Sequence, residues 1–203
     1  MAVEWVVAAG VLVGASALLW GLSAWMTRRI ETTVPINGRF VEVDGERFHY
    51  VEEGKGPPLV MIHGLMGSSR NLTYALSGQL RERFRVITLD RPGSGYSSRG
   101  AHTAADLPAQ ARQIAAFIKT LDLDKPLVLG HSLGGAIALA LALDHPHAVS
   151  GLVLVAPLTH PQRLLPLVFL SLAVRPAWLR RWVSHTLTLP VGLLTKGSVV
   201  KGC

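Results

Sequence analysis

The segment Gly130-His131-Ser132-Leu133-Gly134, followed by Gly135, sets a serine hydroxyl between small residues. A serine becomes a useful nucleophile when the chain around it holds the hydroxyl clear of the backbone and in reach of a base. The neighbouring residues suit the first requirement. Leu127 to Leu129 reads as a short buried strand and Leu133 to Leu143 as an Ala/Leu-rich buried helix, so Gly-x-Ser-x-Gly falls on a strand, turn and helix in that order. Such a turn is too tight for side chains on both sides of the serine, and glycine at 130 and 134 leaves Ser132 raised and accessible. The bland alternative is a serine that only caps the helix.

Attack of a serine on a carbonyl puts negative charge on oxygen, and a site for that chemistry must hold donors where the charge develops. The Leu133 amide, at the helix N-terminus, is one candidate. The loop His63-Gly64-Leu65-Met66-Gly67 offers the Leu65 amide as the second, with Gly64 allowing close approach of the backbone. His63 reads as a buried imidazole tying this loop together, with direct proton transfer as the alternative, and His131 reads as packing. Cys203 is the one cysteine, so no zinc spacing and no intrachain disulfide exist. No metal and no cofactor are expected.

The elements that would position these residues follow from periodicity. Arg39 to Val43 and Glu46 to Val51 alternate about Asp44-Gly45, a hairpin signature. Leu59 to Ile62 is a continuous apolar run of the kind found in strands buried on both faces. A helix is expected around Asn71 to Arg83, a strand at Arg85 to Leu89, then the loop Asp90-Arg91-Pro92-Gly93-Ser94-Gly95. Thr103 with Asp106 suggests a helix start, and Ile114, Phe117, Ile118 and Leu121 form one apolar stripe. Leu152 to Val155 is a further strand. Strands alternating with helices imply a parallel sheet.

The N-terminus differs from the rest. No charge interrupts the 22 residues from Trp5 to Met26, a length that covers the ~30 Å of bilayer hydrocarbon. Glu4 precedes the run and Arg28 and Arg29 follow it, which favours an uncleaved anchor over a cleaved signal peptide. Arg28, Arg29, Arg39 and Arg47 place the following domain in the cytoplasm by the positive-inside tendency. The expectation is a single-pass membrane protein. With 49% apolar and 16% charged residues the chain is not disordered. The net charge of +7 owes much to Arg163, Arg175, Arg180, Arg181, Lys196 and Lys201, which are interleaved with Leu, Val and Trp and do not form a nucleic-acid surface.

In order and spacing, His63-Gly64, Asp90-Arg91-Pro92-Gly93-Ser94-Gly95 and Gly130-His131-Ser132-Leu133-Gly134-Gly135 resemble the three signature loops of the α/β-hydrolase family. The resemblance covers roughly Phe40 to Pro157. It implies an α/β fold, a three-layer sandwich about a mostly parallel sheet with the family's first six strands, here preceded by a transmembrane helix. It carries Ser132 over as nucleophile and the Leu65 and Leu133 amides as oxyanion hole, with His63, Gly64, Gly130 and Gly134 shaping the loops. The dehalogenases and epoxide hydrolases of that family use an aspartate nucleophile, so serine at 132 disfavours them. Esterases, lipases, amidases, peptidases, C–C bond hydrolases and acyltransferases are left. The expected division is a membrane anchor at 1–30, a hydrolase core at 31–157 and a partial cap at 158–203, the cap's apolar bias hinting at a small apolar ester or amide.

The family's triad runs serine, then Asp or Glu, then histidine. Asp144 is the one acid after Ser132, and it lies ~18 Å along the elbow helix. His145 and His147 share that placement, while His160 and His185 fall in the expected cap without an acidic neighbour. The expectation is a chain that lacks the triad acid and histidine, whose last residues read as those of a fragment or an interrupted frame, and which is inactive as it stands. Two other readings compete. One is a catalytically inactive, membrane-tethered binding protein on a hydrolase-like scaffold; the other, a small structural membrane protein, explains the first 30 residues and nothing after.

Overall fold

In the computed structural model, which describes residues 2–33, 36–100, 103–160 and 182, Asp44 and Gly45 both adopt positive φ, 49° and 80°. That is the backbone a two-residue hairpin turn demands. It joins strand β1 (Arg39–Val43) to β2 (Glu46–Glu53), which runs two residues beyond the expected Val51 because Glu52 and Glu53 pair with Ile87 and Val86. Strands β3 (Pro58–Ile62), β4 (Arg85–Leu89), β5 (Leu127–His131) and β6 (Gly151–Val155) complete a six-stranded sheet of order β1-β2-β4-β3-β5-β6. The four strands from β4 to β6 in that order are mutually parallel, and only the β1 and β2 pairings are antiparallel.

The apolar run of β3 is explained by layers on both sides. Val60 and Ile62 face α4 (Leu107–Thr120) and α5 (Leu133–Asp144), where Ile114, Phe117, Ile118, Ile137 and Leu141 meet Phe48, Ile87, Leu89 and Val128. Leu59 and Met61 face the other way, against Leu72, Leu76 and Leu80. Period two in the strand thus serves two cores.

Local expectations fail where distant contacts intervene. The helix expected at Asn71 to Arg83 begins at Ser69 as α2 (Ser69–Leu72), widens into a π-turn at Thr73–Ser77, and ends in α3 (Gly78–Leu80). Its start is set by Asn71, whose side chain accepts the Ser68 amide. Helix α4 does not start at Thr103: Asp106 is its N-cap and accepts the Ala109 amide at 2.8 Å. Thr103 instead donates its hydroxyl to Glu46, which also takes the Gly100 amide and the Ser98 hydroxyl. These bonds, Thr103 first, hold the Glu46 carboxyl below the usual range.

The chain divides into two units, residues 37–161 and residues 1–36 with 162–203. All six strands fall within the unit 37–161. Most of the expected cap, including His185, lies outside the described residues. In the other unit, α1 (Ala2–Thr33) is one helix of 32 residues with Trp5, Val6, Val11, Val13 and Leu18 exposed and Arg29 stacked on Trp25. Among the described residues no helix is long and apolar enough to cross a membrane, so the structure does not show the expected span.

Phe117 is fully buried against Phe48 and Tyr50, with ring centroids 5.4 and 5.6 Å away, and joins the antiparallel strands to α4. Phe117→Ala should cost about 3–5 kcal/mol, read as a lower urea midpoint at unchanged slope. A loss below about 1 kcal/mol would contradict this packing.

Candidate active site

Ser132 stands between β5 and α5 with φ 53° and ψ −117°, a backbone that side-chain-bearing residues avoid. Strain of that kind costs roughly 1–3 kcal/mol and persists only where the surroundings enforce it. They do so by hydrogen bonds. The Ser132 amide donates to the Val155 carbonyl at 3.0 Å, and the Ser132 carbonyl accepts the amides of Gly135, Ala136 and Leu158. Ser132 occupies the N-cap position of α5, yet its side chain makes no capping hydrogen bond. The hydroxyl is thus not spent on a helix amide.

Close approach of three backbones makes this possible. A Cβ on Gly134 would overlap the Ile62 carbonyl oxygen, and one on Gly130 would overlap the Gly134 carbonyl. Gly64 lies where a Cβ would come within 3.1 Å of the Ser132 Cβ, so the loop after β3 abuts the serine. Leu65 follows Gly64 on that loop, and Leu133 opens α5, where helix amides have no intrahelical partner. Among the described residues neither the Leu65 nor the Leu133 amide donates to a protein acceptor. The helix end adds a partial positive charge that favours an anion there.

His63 is fully buried and held by both ring nitrogens: Nε2 accepts the Arg91 amide at 3.0 Å and Nδ1 donates to the Gly64 carbonyl at 2.8 Å. Burial, with the Arg91 charge second, lowers its pKa to about 4. A neutral ring with no free nitrogen cannot relay a proton, so His63 is the loop tie and not a base. Arg91 is itself buried, and burial, then the neighbouring Arg99, lowers its pKa to about 10, which leaves it charged at neutral pH.

Sequence reasoning placed Asp90 in a signature loop but gave it no role; it is 1% exposed. Its carboxylate takes the Ser69 amide at 2.6 Å, the Tyr96 amide at 3.0 Å and His49 Nδ1 at 2.8 Å. His49 Nε2 faces the Asn37 carbonyl. Asp90 thereby fastens the hairpin, the α2 start and its own loop together. The signal in sequence was its place at the head of the loop Asp90-Arg91-Pro92-Gly93-Ser94-Gly95, directly after an apolar strand.

Other expectations divide. His131, expected to pack, is exposed at the end of β5, with its ring beside Gly64. Asp144, His145 and His147 line a hollow of about 600 Å³ with Arg112 and Lys119 at the far end of α5, away from Ser132. His160 is exposed and pairs with the Thr159 hydroxyl at 3.0 Å. Among the described residues no histidine hydrogen-bonds Ser132, and no cluster suited to a metal ion occurs.

The lowered pKa of His63 has a sign that can be checked. The unfolded chain takes a proton near 6.5 that the folded chain refuses until about 4. Stability is whole above pH 6.5 and falls as pH drops toward 4, by up to about 3 kcal/mol. His63→Gln should be less stable at pH 7 but lose less over that window, as measured by urea unfolding at each pH. Parallel profiles for the two proteins would refute the assignment.

The comparisons accord with this geometry. Residues 57–199 match the profile of the alpha/beta hydrolase fold. The chain is 36% identical over 123 residues to haloalkane dehalogenase 2 of Mycobacterium tuberculosis, covering 59% of this chain and 42% of the relative. It is 38% identical over 121 residues to the dihydrolipoyllysine-residue acetyltransferase component of the acetoin cleaving system of Cupriavidus necator, covering 59% and 32%. Among solved structures, a membrane phospholipase A described as a bacterial virulence factor superposes with TM-score 0.58 at 30% identity, covering 85% of this chain and 55% of that one. An N-acyl homoserine lactone degrading enzyme gives TM-score 0.54 at 30% identity, covering 59% and 45%. The chain spans less than half the length of these curated relatives. With the profile matched over most of its length and the elbow in place, the chain belongs to the alpha/beta hydrolase fold family.

Proposed function

We propose that the protein is a serine hydrolase acting on a small apolar carboxylic ester or amide, with Ser132 as nucleophile and the Leu65 and Leu133 amides as oxyanion hole. One observation carries this: a strained serine at a helix N-cap whose hydroxyl takes no part in capping. The Ser132 oxygen attacks the carbonyl carbon, an acyl-enzyme forms as the alcohol or amine leaves with a proton, and water then releases the acid. Dehalogenation is not the reading despite the dehalogenase relative, because the elbow holds serine. The phospholipase and lactone-degrading neighbours, both named for acyl substrates, support an ester.

The general base lies outside the described residues in this reading. Were a base missing altogether, reaction at the serine would fall by on the order of 10⁶. That is the second reading, a membrane-tethered binding protein without catalysis, and the absence of a histidine on Ser132 among the described residues favours it. A fluorophosphonate probe separates the two. Labelling that is lost in Ser132→Ala supports the hydrolase, and a wild-type protein that resists the probe supports the binder.

We also propose that α1 anchors the chain in a membrane, with the hydrolase unit on the cytoplasmic side. The support is the uncharged run Trp5 to Met26, its apolar residues distributed around the helix and not along one face, and Arg28 and Arg29 beyond it. A helix apolar all round suits insertion better than lying flat. Likeness to a membrane phospholipase A over 85% of the chain agrees. Carbonate washing should leave the protein with the membranes. Its release into the supernatant would end the proposal.

A further inference from the structure

The peptide unit that contributes the Leu65 N–H has its other end in the Gly64 carbonyl, and that carbonyl is held unusually firmly. It accepts Arg91 Nη2 at 3.0 Å, His63 Nδ1 at 2.8 Å and the Gly67 amide at 3.3 Å. Arg91 Nε takes the preceding carbonyl, that of His63, at 3.0 Å, and Nη1 is fixed by Gln110 Oε1 at 2.8 Å. A trans peptide is planar, with N–H opposite C=O. Pinning the carbonyl from the buried side therefore aims the Leu65 N–H the other way. A cationic donor also draws charge through the peptide and strengthens its N–H as a donor.

We infer that Arg91 is a positioning residue that sets the direction and donor strength of the Leu65 amide by holding the carbonyl of the same peptide unit. This rests on the reading of Leu65 as an oxyanion donor only for its catalytic consequence. Arg91 is buried and acts through the peptide it holds. The arrangement divides labour within one peptide: the Gly64 oxygen faces three donors, the Leu65 N–H has no protein acceptor among the described residues, and the fork of Arg91 joins them to α4 through Gln110. Lysine keeps the charge but lacks the planar fork that reaches both carbonyls.

The test uses the full chain in detergent and reads the Leu65 amide by ¹⁵N–¹H NMR. In Arg91→Lys the Leu65 proton should move upfield while the amides of Leu59 to Met61 in β3 stay in place. Gln110→Glu keeps Arg91 and sets a carboxylate against it, so it should move the same resonance the same way by less, and it carries the test if Arg91→Lys does not fold. Fluorophosphonate labelling at Ser132 should slow in both, by about tenfold or more in Arg91→Lys, short of the ~10²–10³-fold that loss of an oxyanion donor costs. A Leu65 resonance that stays put, or one that moves only together with β3, overturns the inference. A wild-type protein that fails to label sinks the nucleophile assignment and leaves this one to the Leu65 resonance.

Discussion

The constraint on which the rest of the site depends is the contact of three backbones without side chains between them. Gly134 rests against the carbonyls of Ile62 and His63, Gly130 against Gly134, and Gly64 against Ser132. Van der Waals repulsion rises so steeply that a single Cβ at Gly134 would push α5 off the end of β3. The elbow, the loop after β3 and the packing of α5 on the sheet are then one arrangement. The turn at Ser132 can stay strained because its amide and carbonyl bond to four backbone groups of β6, α5 and the segment beyond them.

Adjacent residues on one strand end brace the loops on both sides. Asp90 and Arg91 leave β4 in succession, and successive side chains of an extended chain point opposite ways. Asp90 turns to His49, Ser69 and Tyr96, on the hairpin and α2. Arg91 turns to His63, Gly64 and Gln110, on the loop after β3 and on α4. Both charges are buried, and a buried charge is tolerable only with its hydrogen bonds made. The cost of leaving either unsatisfied is what makes the loop positions specific, since any shift of the neighbours strands a charge.

How far the sequence revealed this follows from the range of the interactions. Gly-x-Ser-x-Gly was legible because its chemistry and the change of period from strand to helix fall within about twenty residues. The sheet was legible from apolar runs, and its β1 and β2 edge from one Asp-Gly turn. Thr103 misled because a Thr-x-x-Asp spacing imitates a helix start, whereas its hydroxyl is taken by Glu46, 57 positions away. The His49 pair with Asp90 spans 41 positions and has no local pattern at all. The bonds of His63 to Gly64 and Arg91 join two loops, and Arg91 could not be named as the partner, because nothing in a loop sequence tells which way a guanidinium turns.

Strand β6 joins stability to chemistry. It ends the sheet among the described residues, with Val153, Leu154 and Val155 all more than a third exposed. An apolar edge of that kind invites pairing with further chain. Yet the carbonyl of Val155 holds the Ser132 amide, and the Leu158 amide holds the Ser132 carbonyl. Ala156, between them, takes positive φ at 43°, so the chain turns sharply to close this clasp. A shift of β6 therefore reaches Ser132 through the Val155 carbonyl, without contact with the serine hydroxyl. Fraying at this edge would release the turn at Ser132 to an ordinary helix-cap geometry, in which the hydroxyl turns to the amides of α5 while the remaining sheet stays folded.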